Sequence, residues 1–313
     1  LSIINKVKRH PTMSLEHCEK YTDSALRVGD VDRYPQRVAG EFIGAVVSND
    51  WINKEYKHLV LKVHERALEA YAGQFFHLLC PTPDGAEVWM RRPMSVYRVD
   101  RKAGQLEFLY KCEGRGTRGM GMLVKGDEFN IAGPLGKGFN LKPEWKNIVV
   151  LGRGVGLATL APLSQLAAEN NVGVTAILSA RNPDVVMSKD LFESLGAKTL
   201  TVLDTESLLD RSGASPNAMS SDVANVEKII EGLIAGKKAD AFFTCGSSRL
   251  LKLMQQLGKK HGVPGQVAME QIMVCGVGAC YVCMRTFEID GVKTLKRVCR
   301  DGPVFDMQQA VGW

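Results

Sequence analysis

Four cysteines, Cys275, Cys280, Cys283 and Cys299, stand in a C-x4-C-x2-C-x15-C pattern. The first three follow the plant-type spacing for a 2Fe–2S cluster, with the fourth ligand arriving from further along the chain. Two irons bridged by two sulfides need four thiolates converging on a small volume. The loop between the first three cysteines must therefore wrap closely. Gly276, Gly278 and Ala279 keep that loop small and let backbone N–H groups approach the sulfurs. Such a cluster moves one electron at a time, so the pattern predicts an electron carrier. Four cysteines also suit tetrahedral zinc. Zinc ribbons usually pair two C-x2-C units, whereas this chain has one, Cys280/Cys283.

A second chemical signal is Gly152-Arg-Gly154-Val-Gly156, set between the apolar run NIVVLG and the helical pattern LATLAPLSQL. A glycine turn at a helix N-terminus presents backbone N–H groups to a pyrophosphate, and the helix dipole favours the negative charge. Glycines also serve tight strand–helix packing, but the place of this turn after the first strand of an α/β unit favours a nucleotide. The loop Thr244-Cys245-Gly246-Ser247 follows a later strand, and ligands of open α/β sheets bind at such strand ends. The alternative for Cys245 is a buried, inert thiol. Earlier in the chain, Arg91-Arg92-Pro93-Met94-Ser95 begins a strand, and Gly114-Arg-Gly116-Thr117 follows LEFLYKC. The arginine beside the rigid proline suits a phosphate, Ser95 a ring edge, and the GRGT turn a second phosphate. Equally, RRP reads as a solvated turn and GRGT as a hairpin. The turn Gly133-Pro-Leu-Gly136-Lys-Gly138-Phe139 reads as a packing device.

These pieces need elements to hold them. From Arg37 to about Pro143 short alternating runs such as EFIGAVVSND, YKHLVLKVH and LEFLYKC are broken by glycine and proline, which predicts a small antiparallel barrel. From Asn147 strands and helices alternate, from NIVVLG through VTAILSA and KTLTVLD to DAFFTCG, which predicts a parallel sheet with crossover helices. The polar stretch around Ser212–Ser221 reads as a surface loop. The expected architecture is multidomain, β plus α/β: an extension over 1–37, a barrel over 38–143, a nucleotide-binding α/β domain over 144–262 and a small cluster domain over 263–313. A length of 313 residues and a hydrophobic share of 45% accommodate these cores. The net charge of +6 is spread out, which argues against nucleic acid. No apolar run reaches the roughly 18 residues that span a bilayer. Cys18, Cys80, Cys112 and Cys245 are scattered rather than framed as disulfides, which predicts a cytoplasmic protein.

In this order the pieces resemble the ferredoxin–NAD(P) reductase superfamily. More narrowly, RRPMS, the GxGT turn, GPLGKGF, LGRGVGLATLAPL, the TCG loop and CGVGACYVC…KRVCRDGPVFD resemble the iron–sulfur electron-transfer subunits of NAD-linked dihydroorotate dehydrogenases. The likeness covers about residues 38 to 313. Arg153 and Thr159 stand where those subunits usually carry a glycine and a proline, and the first 37 residues have no counterpart. The resemblance implies FAD in the barrel, held by Arg92, Pro93, Met94, Ser95, Tyr110, Lys111, Gly116 and Thr117. It implies NAD(P)H on Gly152, Gly154, Gly156, Cys245 and Gly246, and a 2Fe–2S cluster on Cys275, Cys280, Cys283 and Cys299. It also implies a separate catalytic subunit, with pyrimidine biosynthesis as the setting.

A hydride donor gives two electrons and a cluster takes one, so a flavin must stand between them. Hydride transfer needs no acid–base residue, and the six histidines show no ligand spacing, so no catalytic residue is expected. Arg285, Lys293, Lys296, Arg297 and Arg300 flank the cluster and suit either an acidic partner or a solvated face. The strand VTAILSA ends in Ala180-Arg181-Asn182 with no acid for a ribose hydroxyl, which leaves NADH and NADPH both open. Two other functions stay in view. One is a reductase for an oxygenase, hydrogenase, transhydrogenase or ferredoxin; the other is a zinc-stapled nucleotide-binding regulator.

Overall fold

The computed structural model describes residues 39–81, 90–204 and 219–312. The extension over 1–37 and most of the polar stretch after Asp204 lie outside the described residues.

Seven strands form the first sheet: β1 (Gly40–Trp51), β2 (Tyr56–Lys62), β3 (Phe75–Leu78), β4 (Arg92–Ser95), β5 (Arg98–Asp100), β6 (Gln105–Lys111) and β7 (Glu128–Leu135). Every pairing is antiparallel, in the order β4-β3-β7-β1-β2-β6-β5. In a flat sheet β3 and β6 would lie roughly 19 Å apart, at about 4.8 Å per strand. Instead the rings of Phe76 and Phe108 meet edge to face at 5.9 Å. The sheet is therefore rolled into the expected barrel around Phe76, Leu106, Phe108, Tyr110 and Ile131. The GRGT segment is neither hairpin nor open turn. It starts a short helix, α1 (Arg115–Met120), whose N-cap is Gly114.

The second sheet contains β8 (Asn147–Arg153), β9 (Gly173–Ala180), β10 (Lys198–Leu203), β11 (Met219–Ser220), β12 (Ala241–Cys245), β13 (Gly265–Ala268) and β16 (Val304–Asp306). Its order is β11-β10-β9-β8-β12-β13-β16, parallel except for the last pair. Met219 and Ser220, expected in the surface loop, instead pair with Val202 and Leu203. Helices α2 (Gly156–Glu169), α3 (Lys189–Ser194), α4 (Val223–Ala235) and α5 (Ser248–His261) cover the sheet. Strand alternation explains how both faces are filled. Ile148 and Val150 of β8 pack with Leu157 and Leu160 of α2, while Val149 and Leu151 join Ile230 of α4 and Leu250 of α5. The strand order reverses between β8 and β12, which makes their carboxyl ends a topological switch point.

The cysteine segment runs between β13 and β16 and carries the hairpin β14 (Met284–Ile289) and β15 (Val292–Arg297), then α6 (Val298–Asp301). Phe287 of the hairpin packs on Phe305 of β16, with ring centroids 4.2 Å apart. No described helix is long and apolar enough to cross a membrane.

Candidate functional site

The glycine turn and the TCG loop touch at the switch point. A Cβ on Gly156 would lie 2.6 Å from the carbonyl carbon and oxygen of Cys245, and one on Gly246 would collide with the carbonyl of Arg153. Gly154 and Gly246 also hold φ of +56° and +90°, where side chains are strained. These glycines let two strand ends close on each other beside the α2 N-terminus. The result is a groove of about 260 Å³ lined by Tyr56, Arg153, Gly154, Arg181, Gly246 and Glu270.

Arg153, in place of a glycine, reaches sideways along the strand tips. Its guanidinium grips Asp204 at 2.8 and 3.1 Å and Ser179 Oγ at 2.9 Å. Burial raises the Asp204 carboxyl, but the bonds from Arg153 and Ser221 outweigh it and hold the group below the usual range. Arg181 pairs with Glu55 at 2.6 Å.

Beyond the groove lies a larger cavity of about 690 Å³. Arg92, Pro93, Met94 and Ser95 of β4 line one wall; Val155, Thr159 and residues 269–273 line another. Val155 and Glu270 line both spaces, so the two are adjacent. Polar side chains meet at this junction. Thr159 Oγ1 donates to Ser95 Oγ at 2.9 Å. The Cys245 thiol points to Glu270 Oε1 at 3.9 Å. Burial pushes the Cys245 thiol well up, and Glu270 adds to it; burial also raises the Glu270 carboxyl.

The other residues expected around the flavin are divided. Arg92 bonds the Met90 carbonyl at 2.6 Å, and a Cβ on Gly116 would sit 3.1 Å from Arg92 Nε, so α1 and β4 meet. Thr117 Oγ1 is engaged locally, accepting from the N–H groups of Glu113 and Gly114 at 3.0 Å each. Tyr110 points into the barrel core and donates to Asn49 Oδ1 at 2.9 Å; its side chain does not reach the cavity, and Leu109, on the opposite strand face, does. Lys111 pairs with Glu55 and Glu113.

The cysteines form two pairs. Cys275 Sγ accepts from Ala279 N at 3.3 Å and Cys280 N at 3.4 Å, and Cys280's side chain also bonds it. Burial opposes ionisation of Cys275, but these donors prevail and bring its thiol down to about 6. Cys283 and Cys299 are buried, with their sulfurs 3.3 Å apart. Burial, then the adjacent Cys283, raise the Cys299 thiol to about 12. Among the described residues no three His, Cys, Asp or Glu side chains converge on a single-ion site. Two thiolate pairs suit two irons with two thiolates each better than one tetrahedral zinc. Gly276 and Gly278, at φ of +71° and +83°, turn the loop around the pairs. Of the basic flank, Arg297 is bound to Asp301 and Lys296 lies over Phe287 and Phe305.

Comparison with known proteins agrees with this geometry. Residues 270–311 match the family model for the iron–sulfur cluster binding domain of dihydroorotate dehydrogenase B. The electron transfer subunit of dihydroorotate dehydrogenase B (NAD(+)) from Desulforamulus reducens is 31% identical over 77% of this chain and 87% of its own length. The chain belongs to the dihydroorotate dehydrogenase B electron transfer subunit family. Subunits of the same name from Streptococcus pneumoniae and Streptococcus mutans are 32% and 30% identical over 75% and 85% of the chain. Among solved structures, an NADH-dependent reduced ferredoxin-NADP oxidoreductase superposes with a TM-score of 0.69 at 24% identity, covering 85% of this chain and 88% of its own. An Amycolatopsis cytochrome P450 reductase gives 0.57 at 19%, covering 73% and 68%. These two share the fold.

In this family member, sequence reasoning missed Glu270, Thr159 as a bonding partner, and Asp204. Glu270 stands five residues before the first cysteine, and no motif marks it. Asp204 ends the strand KTLTVLD, one strand beyond the tip where an acid was sought.

Proposed function

We propose that this chain passes electrons between NAD(P)H, FAD and a 2Fe–2S cluster, to or from a separate catalytic subunit, with dihydroorotate oxidation as the first candidate reaction. One observation carries the reading: two adjacent cavities, one at a glycine switch point and one against RRPMS, with Met273 of the cluster segment in the wall of the larger. The relatives' name supports the reaction class. When bound, FAD accepts a hydride's two electrons and releases them singly to the cluster.

The chain's own residues supply position and charge. The turn that carries Gly152, Gly154 and Gly156 would set a pyrophosphate at the α2 N-terminus, whose first turn holds no acid. Gly246 closes the groove's other side, with Cys245 buried behind it. Arg92 supplies a cation to the larger cavity, which Arg91 and Arg285 also line. Ser95, accepting from Thr159, keeps its own proton to donate to a ring edge. The raised Glu270 and Cys245 stay protonated more readily, which keeps uncompensated charge out of the junction. Cys275, Cys280, Cys283 and Cys299 hold the irons. On this reading FAD belongs to 38–143, the dinucleotide to 144–262 and the cluster to 263–313, in a cytoplasmic heteromer.

The purified chain is expected to carry flavin and iron and to reduce ferricyanide with NAD(P)H, while oxidising dihydroorotate only with its partner subunit. Dihydroorotate turnover by the chain alone, or absence of both flavin and iron, refutes the proposal.

A further inference from the structure

We propose that His77 donates its Nε2–H to a sulfur on the Cys275 side of the cluster and so raises the reduction potential; this rests on the electron-transfer reading above. His77 sits on β3, only 3% exposed, although nothing in the sequence assigned it more than a packing role. Its Nε2 is buried and has no hydrogen-bond partner among the described residues. Leaving a buried polar group unpaired costs stability, so such an atom marks a missing partner. The ring lies against the cluster loop. A Cβ on Gly276 would fall 2.8 Å from His77 Nε2 and 2.9 Å from Cε1, so only glycine lets the loop come this close. Gly276 directly follows Cys275, whose sulfur already collects the N–H groups of Ala279 and Cys280. The same strand is bonded to the flavin side. His77 pairs with Pro93 in register, and its carbonyl accepts from Arg91 Nη1 at 3.2 Å. His77 thus meets the β4 side through its backbone and the cysteine loop through its ring.

The effect on potential follows from charge. Reduction adds negative charge to the sulfurs, and an N–H donor favours the more negative state. Hydrogen bonds to the sulfurs are among the factors that set cluster potentials. Removing the donor therefore lowers the potential.

The experiment is an EPR-monitored redox titration of the holo-protein, with flavin and iron quantified. For His77→Leu the reduction equilibrium is expected to fall about tenfold, which is 59 mV for a one-electron couple. His77→Gln keeps an N–H near the Nε2 position and is expected to restore most of the difference. A second measurement needs no variant. In wild-type protein with ¹⁵N-histidine, pulsed EPR of the reduced cluster is expected to show a histidine nitrogen coupling. An unchanged potential in iron-replete His77→Leu overturns the proposal. So does the absence of any histidine coupling, which decides the matter if His77→Leu does not load. A wild-type chain lacking both flavin and iron overturns the electron-transfer reading, and this proposal with it.

Discussion

Gly156→Ala tests the contact on which the dinucleotide groove depends. The added methyl would lie 2.6 Å from the carbonyl carbon and oxygen of Cys245 and 2.8 Å from Gly246 N, where ordinary contact begins at 3.4 Å. All three opposing atoms are backbone at the end of β12, so no side chain can swing aside. Two effects compete. Alanine favours helix over glycine by at most about 1 kcal/mol at the start of α2. Overpacking against fixed atoms costs about 1–3 kcal/mol. The steric term wins, and it is relieved by parting the two loops that close the groove. A loss of about 1.4 kcal/mol in binding is tenfold in affinity. The dinucleotide dissociation constant is therefore expected to rise about tenfold, with flavin and iron contents unchanged. Anaerobic stopped-flow bleaching of the flavin against NADH and NADPH concentration reads the constant, and thermal melting reads stability. Wild-type affinity alongside a lowered Tm would show that the contact is real but the groove holds no dinucleotide. Wild-type values in both would refute the packing argument itself.

Cys280→Ser is expected to lose iron and keep flavin, because none of the four cysteines lines the larger cavity; full iron content in the variant counts against the ligand assignment. Arg92→Ala is expected to release flavin on gel filtration, since losing a charged hydrogen bond costs about 1.5–3 kcal/mol; wild-type retention would leave RRPMS as a turn. Glu270→Gln tests the junction by pH. Burial raises the Glu270 carboxyl in the folded state, so the fold binds its proton more tightly than the unfolded chain does. That stability is present below the unfolded value of about 4.3 and declines as pH rises through the folded one. The variant is expected to match wild type in Tm at pH 4 and exceed it at pH 8; a lower Tm at pH 8 would show that the carboxylate is ionised and needed.

What could be seen in the sequence was local. The four cysteines, the glycine turn and the alternation of strands with helices each lie within a short window. Gly156, Cys245 and Gly246 meet because strand ends at a switch point are neighbours. The GRGT helix was hidden because glycine disfavours helix, so Gly116 and Gly119 mask its period. Tyr110 was drawn to the flavin by resemblance, yet the period of two in QLEFLYK puts it with Leu106 and Phe108 in the core. Glu270, Asp204 and His77 were illegible for another reason. Each matters only through partners far along the chain: Cys245, Arg153 and Gly276.

The cysteine segment is not tethered by a flexible linker. Its two ends, β13 and β16, pair with each other, and Met269 N bonds the Pro303 carbonyl at 2.9 Å where the segment leaves and rejoins the sheet. From the other side the GPLGKG turn closes on the GPVFD tail. Lys137 N donates to the Gly302 carbonyl at 2.6 Å, and a Cβ on Gly136 would lie 2.6 Å from the Pro303 ring. Gly136 has φ of +75°, so both its conformation and its neighbour demand glycine. Two motifs far apart in sequence thus serve one purpose: they fix the thiolate pairs against the barrel and against the parallel sheet at once. Helix α2 completes the arrangement, with its first turn at the groove and Thr159 bonded to Ser95 of β4. The spacing of the three sites is therefore set by packed secondary structure. Electron transfer over a distance depends steeply on that spacing, so a rigid base under the cysteine loop is what such a carrier requires.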